Sequence, residues 1–308
     1  METIVIGTDF SESSLAAEQV AFGLAHRRGA RLAIAHVVVP GNADLVLGSP
    51  STAAYDRSLA HRAEEVEIQL VSVAKQRVER IAAELTAKGV PSAGHLLHGR
   101  PSEALEAFAD ERSASMIVVG SHGRRAPSRW FLGSVAERTL AGANRPVLVV
   151  PAAEHGAAWS ESRPLRICVA VDFTEASVRA VEEAKRFHDE GRQIVFLHAY
   201  WPPEVMAAHG LKSIDPEKGA EELERQLAAE LRARLGITDG EIVVRPAWGR
   251  VADAVASYAA SLGCDLLVVA PSGKAGFQEV LHGSFTRGSV RHPTIPVLCL
   301  PSESAPTP

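Results

Sequence analysis

The chain alternates short runs of consecutive apolar residues with longer segments in which apolar residues recur every three or four positions. Runs that are apolar throughout, and not only at every second position, are typical of strands buried on both faces of a parallel sheet. The longer segments have the spacing of amphipathic helices. The pattern predicts an α/β fold with helices on both faces of a parallel sheet. In the first half of the chain, the apolar runs lie at residues 3–7, 31–39, 95–98, 116–120 and 147–150.

The whole order of elements occurs twice. Asp9-Phe10, at the end of the first apolar run, returns as Asp172-Phe173, and His36 in the second run returns as His198. Periodicity lapses between the two copies, and 308 residues are too many for one typical domain. The sequence therefore predicts two copies of one domain. Their expected limits are residues 1–152 and 165–302, with a linker at 153–164 and a tail at 303–308.

A long polar loop separates the fourth strand of the first copy from the next helix. Gly120 ends the strand, Gly123 follows after two residues, and Gly133-Ser134 follow after nine more. Glycines let a ligand approach the main chain, and the first turn of a helix offers unpaired N–H groups and the positive end of the helix dipole. The loop also exceeds the roughly 2–6 residues that are usual between a strand and a helix. We expect an anion site here, most naturally for phosphates.

The spacing Gly-x2-Gly-x9-Gly-Ser resembles the nucleotide loop of the ATP-binding branch of the universal stress protein family. The resemblance covers nearly the whole chain because the pattern comes twice, and it implies the tandem two-domain form. Each domain would be an open five-stranded parallel sheet with helices on both faces, adenine-nucleotide alpha hydrolase-like, with the strand order 3-2-1-4-5. The resemblance also implies that the ligand is ATP, or ADP or AMP, together with Mg²⁺.

The candidate nucleotide contacts lie at the ends of three strands and along the loop. In the implied strand order, Asp9 and Gly120 flank the crevice at the carboxyl ends of neighbouring strands. Asp9 would reach the ribose hydroxyls or a metal on the phosphates, or else cap the following helix. Val37 and Val38 match the place where the family holds adenine through main-chain groups, but they fit plain strand core equally well. His122 fits a phosphate contact or a solvent-facing side chain. The full set is Asp9, Val37, Val38, Gly120, His122, Gly123, Gly133, Ser134 and Val135.

Other polar residues near the predicted site also have two interpretations. Arg124, Arg125 and Arg129 would complement a triphosphate or belong to an ordinary solvated loop. For His36 and His198, we favour a role as packed, hydrogen-bonded side chains over a role as ligand contacts.

The corresponding loop of the second domain departs from the pattern at its start. Ala270 carries a methyl group where the first loop has glycine, and Pro271 removes one N–H donor. We therefore expect the first site to bind nucleotide more tightly than the second. The residues of the weaker second site are Asp172, Gly273, Gly283 and Ser284.

Composition narrows the possible classes of function. The net charge of −5 gives no reason to expect binding to nucleic acid or to a membrane surface. The N-terminus does not resemble a signal peptide, and no apolar run approaches the roughly 18 residues that span a bilayer, so we expect a cytoplasmic protein. The three cysteines form no Cys-x-x-Cys pair, which predicts buried and inert thiols.

Several enzyme motifs are absent from the sequence, among them the Gly-x-x-x-x-Gly-Lys-Ser/Thr loop, the Gly-x-Ser-x-Gly elbow and the His-Glu-x-x-His pair. A site of glycines, one carboxylate and a helix end binds phosphates without an obvious means of activating water. We therefore expect an ATP-binding regulatory or stress-response protein and not an enzyme. A slow ATPase and a dimerising interaction scaffold without nucleotide remain alternatives. A flavodoxin-like redox protein fits less well, because the phosphate loop follows the fourth strand and not the first.

The last apolar run of each copy would form a sheet edge. These runs, at residues 147–150 and 297–300, would leave unpaired backbone groups unless something covered them. We expect the two edges to pair, either within one chain as a pseudo-dimer or between two chains as a homodimer.

Overall fold

A computed structural model of the chain describes residues 1–39, 57–123, 132–152, 159, 163–187, 193–202, 218–271, 289–290 and 293–301. The strands are β1 (Thr3–Gly7), β2 (Arg31–Val38), β3 (Ser92–His98), β4 (Met116–Gly120), β5 (Val147–Val150), β6 (Arg166–Ala170), β7 (Gln193–Tyr200), β8 (Glu241–Pro246), β9 (Leu266–Val269) and β10 (Val297–Cys299). The helices are α1 (Glu12–Arg28), α2 (Arg57–Ala87), α3 (Pro101–Glu111), α4 (Ser134–Gly142), α5 (Glu175–Lys185), α6 (Lys218–Arg234) and α7 (Val251–Ser261). None of these described helices is long and apolar enough to cross a membrane.

The strands form a single ten-stranded sheet with the order β3-β2-β1-β4-β5-β10-β9-β6-β7-β8. Neighbouring strands within each half are parallel. The first half has the order 3-2-1-4-5, and the five strands of the second half repeat it. The α/β fold class and the strand order expected from the sequence are confirmed.

The two halves join at the strands that would otherwise be sheet edges. The strands β5 and β10 pair antiparallel, with Leu298 opposite Leu148 and Val297 opposite Val149. We call this β5–β10 pair the seam. It satisfies backbone groups that an exposed edge would leave open, so the expected edge pairing is confirmed in its intrachain form. A homodimer stays a prediction.

Each face of the sheet carries its own hydrophobic core, because successive residues of a strand point to opposite faces. Ile4 and Ile6 of β1 belong to the core under α1, α2, α5 and α6. Val5 belongs to the core under α3, α4 and α7. Helices therefore cover both faces, as the continuous apolar runs predict.

One buried side chain comes from the segment that was expected to be a linker. Trp159 is 1 % exposed and belongs to the same core as α1. A Cβ atom on Gly23 of α1 would lie 2.3 Å from the carbonyl oxygen of Trp159, so a larger residue at position 23 would push the segment away. Trp159 is therefore a residue between the two copies that contributes to the core.

The long helix α2 packs against the sheet only through its C-terminal part. Ile81 and Leu85 are buried, whereas Leu70 and Val73, which fit the same helical spacing, are 49 % and 61 % exposed. A helix of 31 residues is about 46 Å long, but the eight residues of β2 span only about 26 Å. The N-terminal part of α2 therefore extends beyond the strand, and helical periodicity alone overstates its core.

The three cysteines, Cys168, Cys264 and Cys299, are buried free thiols, as expected. Burial raises the pKa of the Cys299 thiol well above its usual value. Because the thiolate is the reactive form of cysteine, this thiol is inert at neutral pH.

Candidate functional site

The carboxyl ends of β1, β2 and β4 open into a cavity of about 350 Å³, which the loop after β4 and the first turns of α3 and α4 complete. The volume lies within the range of small-molecule pockets. Ligands in open parallel sheets bind at this edge, where the strand order reverses. The structure brings eight of the nine candidate residues together in the cavity wall: Asp9, Val37, Gly120, His122, Gly123, Gly133, Ser134 and Val135.

Val38 is the candidate that does not line this cavity. Its carbonyl oxygen accepts a hydrogen bond from the backbone N–H of Gly99 at 3.1 Å, so this group is engaged at the end of the sheet. Its neighbour Val37 faces the cavity instead, since adjacent strand residues point to opposite faces. The candidates Arg124, Arg125 and Arg129 lie outside the described residues.

Asp9 both supports the first turn of α1 and borders the cavity. Its Oδ1 atom accepts hydrogen bonds from the backbone N–H of Ser11 at 3.0 Å and from the hydroxyl of Ser14 at 2.6 Å. Its Oδ2 atom lies beside the glycine loop, 2.9 Å from the point where Gly123 would carry a Cβ atom. One carboxylate oxygen therefore fixes the side chain, while the other faces the loop. The two interpretations of Asp9, as a cap and as a ligand contact, are compatible.

Helix α4 begins at the cavity without a side chain to cap it. Its N-cap, Gly133, is extended with φ −63° and ψ 144°, and makes no side-chain hydrogen bond to the helix. The backbone N–H of Gly133 donates to the carbonyl oxygen of Ser121 at 2.7 Å, which holds the helix start against the loop. The N–H groups of the first turn, at Ser134 and Val135, carry the positive end of the helix dipole. An anion in the cavity would meet these donors.

Gly120 lets the end of β4 approach α1. A Cβ atom on Gly120 would lie 2.5 Å from Oγ and 2.8 Å from the carbonyl carbon of Ser13. The Ser13 hydroxyl donates to the carbonyl oxygen of His122, and the His122 Nδ1 atom lies 2.7 Å from the hydroxyl of Ser121. The missing methyl group at Gly120 was expected to leave room for a ligand. In the structure, Ser13 of α1 fills that room.

The two repeated histidines are bonded within the fold, as expected. The Nδ1 atom of His36 lies 2.7 Å from the carbonyl oxygen of Thr8, and that of His198 lies 2.8 Å from the carbonyl oxygen of Val171. A carbonyl oxygen only accepts hydrogen bonds, so each Nδ1 atom carries a proton. Burial lowers the pKa of His198, which keeps its ring neutral at physiological pH.

Parts of the cavity wall lie outside the sequence motif. Pro101 and Leu105 come from α3, and Thr8 and Ser14 flank Asp9. The start of α3 could have been found from topology, because a helix that follows a parallel strand begins at the carboxyl edge of the sheet. The contact of Leu105 depends on how α3 packs, which the sequence pattern does not specify.

The second half repeats the arrangement around the first aspartate. The Oδ1 atom of Asp172 accepts hydrogen bonds from the backbone N–H of Thr174 at 2.9 Å and from the hydroxyl of Ser177 at 2.7 Å. The other residues of the second candidate site, Gly273, Gly283 and Ser284, lie outside the described residues. The unequal affinity of the two sites stays a prediction.

The fold and the cavity define a tandem α/β protein in which both halves are built from one five-stranded parallel unit. The sequence profile of the Universal stress protein family matches residues 1–151 and again residues 165–301. The chain therefore belongs to the universal stress protein family.

Individual relatives resemble this chain over one half or over its full length. A universal stress protein of Thermus aquaticus is 36 % identical over 150 residues, which cover 48 % of this chain and 98 % of the relative. A universal stress protein of Mycobacterium tuberculosis is 27 % identical over 303 residues, which cover 96 % of this chain and 95 % of the relative. The crystal structure of a universal stress protein from Archaeoglobus fulgidus matches with a TM-score of 0.63 at 19 % identity, covering 99 % of this chain and 97 % of that chain. The full-length matches show that this chain resembles other family members across both halves.

Proposed function

We propose that the first half of this protein binds an adenine nucleotide and that the bound nucleotide regulates a stress response. ATP is the first candidate ligand, and ADP and AMP are the others. The phosphates bind at the start of α4 and along the loop from Gly120 to Gly123. The ribose lies near Asp9, and the adenine lies near Val37.

One observation carries the proposal: the uncapped start of α4, the glycine loop and the Asp9 carboxylate border a single cavity. The backbone N–H groups of a helix start bind phosphate without the help of a cationic side chain. A carboxylate repels phosphate, so Asp9 suits the ribose hydroxyls or a metal ion. A side chain at position 123 would meet Oδ2 of Asp9 at 2.9 Å, so it would press on the oxygen that faces the loop.

Mg²⁺ fits this cavity only in combination with phosphates. Within the described part of the chain, no three His, Cys, Asp or Glu side chains come together to hold a metal ion. Mg²⁺ usually keeps several waters and binds one or two carboxylates together with the phosphates of a substrate. Asp9 beside a bound triphosphate supplies such a ligand set.

We propose that the activity is binding and not hydrolysis. Oδ1 of Asp9 and Nδ1 of His36 already take part in hydrogen bonds to Ser14 and Thr8. These bonds give both side chains a role in holding the fold, and the sequence has none of the enzyme motifs named above. Family membership supports a stress-response role in the cytoplasm, in which the nucleotide changes the conformation or the choice of partner. A slow ATPase and a dimerising scaffold without nucleotide are the alternatives.

The first test is to denature the purified protein and identify any released nucleotide by mass spectrometry. Nucleotide-free protein is then titrated calorimetrically with ATP, ADP and AMP, with and without Mg²⁺. We expect ATP to bind and Mg²⁺ to strengthen its binding. Failure of all three nucleotides to bind would favour the scaffold, whereas release of phosphate that grows with enzyme concentration would favour the slow ATPase.

A further inference from the structure

The turn between β1 and α1 is held by a buried pair of side chains, Thr8 and Glu18. The Thr8 hydroxyl donates a hydrogen bond to Oε1 of Glu18 at 2.9 Å and accepts one from the backbone N–H of Phe10 at 3.1 Å. Phe10 has a φ angle of +63°, in the left-handed region that bulky residues rarely adopt. Asp9 lies between Thr8 and Phe10, so this hydrogen bond closes the turn around the carboxylate that borders the cavity.

Glu18 occupies a position where a carboxyl group is costly. It is 6 % exposed, and it does not line the cavity. Burial raises its pKa, while from α2 the charge of Arg77 lowers this pKa and that of Glu84 raises it. Removing a carboxyl group from water disfavours folding unless its hydrogen bonds compensate. An apolar residue would fill the same position at a lower cost, so the carboxyl group needs another explanation.

The second half of the chain has apolar residues at the two positions that are equivalent to Thr8 and Glu18. When the two copies are aligned, Val171 occupies the position of Thr8 and Val181 occupies the position of Glu18. These two valines are 5 % and 2 % exposed, so they are core residues. The fold therefore does not require a hydroxyl and a carboxyl group here, and both members of the pair differ together.

The backbone of the turn differs along with this pair. Thr8 and Val171 donate equivalent 2.9 Å hydrogen bonds to the neighbouring strand, so the ends of the two first strands are alike. Phe173, the counterpart of Phe10, does not have a positive φ angle. The residue with the left-handed conformation, Phe10, thus occurs in the half in which a hydroxyl group accepts a hydrogen bond from its N–H.

We propose that Glu18 is a positioning residue of the nucleotide site. Because Glu18 accepts the hydrogen bond of the Thr8 hydroxyl, it fixes the rotation of that hydroxyl and directs a lone pair of its oxygen to the N–H of Phe10. This bond holds Phe10 in the left-handed conformation and thereby sets where the turn places Asp9 relative to the cavity, while Ser11 and Ser14 orient its carboxylate within the turn. The inference rests on the proposed nucleotide binding, but the geometry of the turn is measurable without a ligand.

The test compares two substitutions that differ in their ability to accept a hydrogen bond. Glu18→Gln keeps an acceptor for Thr8, and Glu18→Val introduces the residue of the second half. We expect Glu18→Val to lower the affinity for ATP about tenfold, and Glu18→Gln to stay within about twofold of the unmodified protein. The thermal midpoint of Glu18→Val should stay level or rise, because a buried carboxyl group is removed. A merely structural role would instead lower affinity and stability together.

The double variant Thr8→Val/Glu18→Val reproduces the pair of the second half. It should bind ATP as weakly as Glu18→Val and no more weakly, because Glu18 acts through Thr8. The single variant Thr8→Val serves as the same test if Glu18→Val does not fold. Additive losses in the double variant would overturn the inference.

A readout without ligand separates this inference from the proposed function. Hydrogen exchange of the Phe10 amide, followed by NMR, should be about tenfold faster in Glu18→Val and nearly unchanged in Glu18→Gln. If the unmodified protein binds no nucleotide, the proposed function fails, and the exchange rates alone decide whether Glu18 holds the turn. Unchanged exchange in folded Glu18→Val, or faster exchange with unchanged ATP affinity, would overturn the positioning role.

Discussion

The two halves of the chain share a backbone plan and differ in pairs of contacting side chains. Asp9 and Asp172 each accept a hydrogen bond from a backbone N–H two residues ahead and from a serine hydroxyl five residues ahead. His36 and His198 each bond to the carbonyl oxygen of the first residue after the neighbouring strand, Thr8 or Val171. Both halves thus hold the turn after their first strand in the same way.

Two of the differences lie in pairs of contacting residues whose members change together. A methyl group at Gly120 would collide with Ser13, and the second half has both the methyl group and an alanine in place of that serine. The polar network of the first half is thus a property of its site and not a requirement of the fold. The pairs are Thr8–Glu18, which becomes Val171–Val181, and Gly120–Ser13, which becomes Ala270–Ala176.

The largest effect should come from replacing each of the two equivalent aspartates. Asp9→Ala should weaken the binding of a fluorescent ATP analogue at least about tenfold, because a lost hydrogen bond to a charged group costs about 1.5–3 kcal/mol. Asp172→Ala is the matched control, since it removes the same local hydrogen bonds from the second half. It should leave the affinity nearly unchanged. Equal losses, or the reverse order, would mean that the second half holds the nucleotide.

The next effect concerns stability and the pair at the end of β4. Gly120→Ala should lower the free energy of unfolding by about 1–3 kcal/mol, because an overpacked contact forces α1 and β4 apart. Adding Ser13→Ala should recover part of this loss, although it also removes the hydrogen bond to the carbonyl group of His122. Urea unfolding of the single and double variants measures the coupling. Simple additivity would show that the two positions do not act as a pair.

A smaller effect is expected at the second glycine of the loop. Gly123→Ala should weaken ATP binding about tenfold with little change in stability, because the new methyl group would press on Oδ2 of Asp9. If the effect acts through Asp9, the double variant with Asp9→Ala should bind no more weakly than Asp9→Ala alone. Calorimetric titration of ATP measures both variants. An unchanged affinity in folded Gly123→Ala would contradict the role of this glycine.

The smallest effect concerns pH, and it should arise from one carboxyl group of the first half that has no counterpart in the second. Burial, followed by the charges of Asp110 and Glu103, raises the pKa of Glu106 to about 7. Between its ordinary pKa of 4.5 and about 7, the folded protein holds a proton that the unfolded chain has released. The contribution of the Glu106 carboxyl group to the free energy of unfolding is therefore fully present below about pH 4.5. It declines as the pH rises toward 7. Ala256 stands at this position in the second half.

Thermal unfolding from pH 5 to 8 checks this expectation, with Glu106→Gln as the control that cannot ionise. As the pH rises over this range, the thermal midpoint of the unmodified protein should fall relative to that of Glu106→Gln. At the acid end, the two midpoints should be similar. Parallel pH profiles would show that the Glu106 carboxyl group has an ordinary pKa.

The α/β class and the seam could be predicted from the sequence because both depend on repeated apolar runs, whereas the strand order was implied by the resemblance to the family. A run such as residues 147–150 is buried on both faces, and its repetition at 297–300 marks two equivalent edges. The glycine loop could be predicted as well, since glycine and a helix start have local chemical meaning. Each apolar run and the glycine loop are encoded by residues that lie close together in the sequence.

Contacts between distant elements could not be predicted in the same way. The closeness of Gly120 to Ser13 depends on the distance between β4 and α1, and the exposure of Leu70 depends on how far α2 extends past β2. Trp159 is buried because a segment without periodicity happens to pass Gly23. Periodicity specifies which side of an element is apolar, but not which residue of another element it meets.

The seam also determines which sheet edges are already paired within one molecule, namely β5 and β10. A separate half would expose β5 or β10 as an unpaired edge strand. Through that edge it could pair with one other copy. In the tandem chain these two edges pair with each other. Because both belong to one chain, dilution does not change their local concentration. Every molecule therefore carries one copy of each half, at any protein concentration. The pairing of the two halves should therefore not depend on how much of the protein is present.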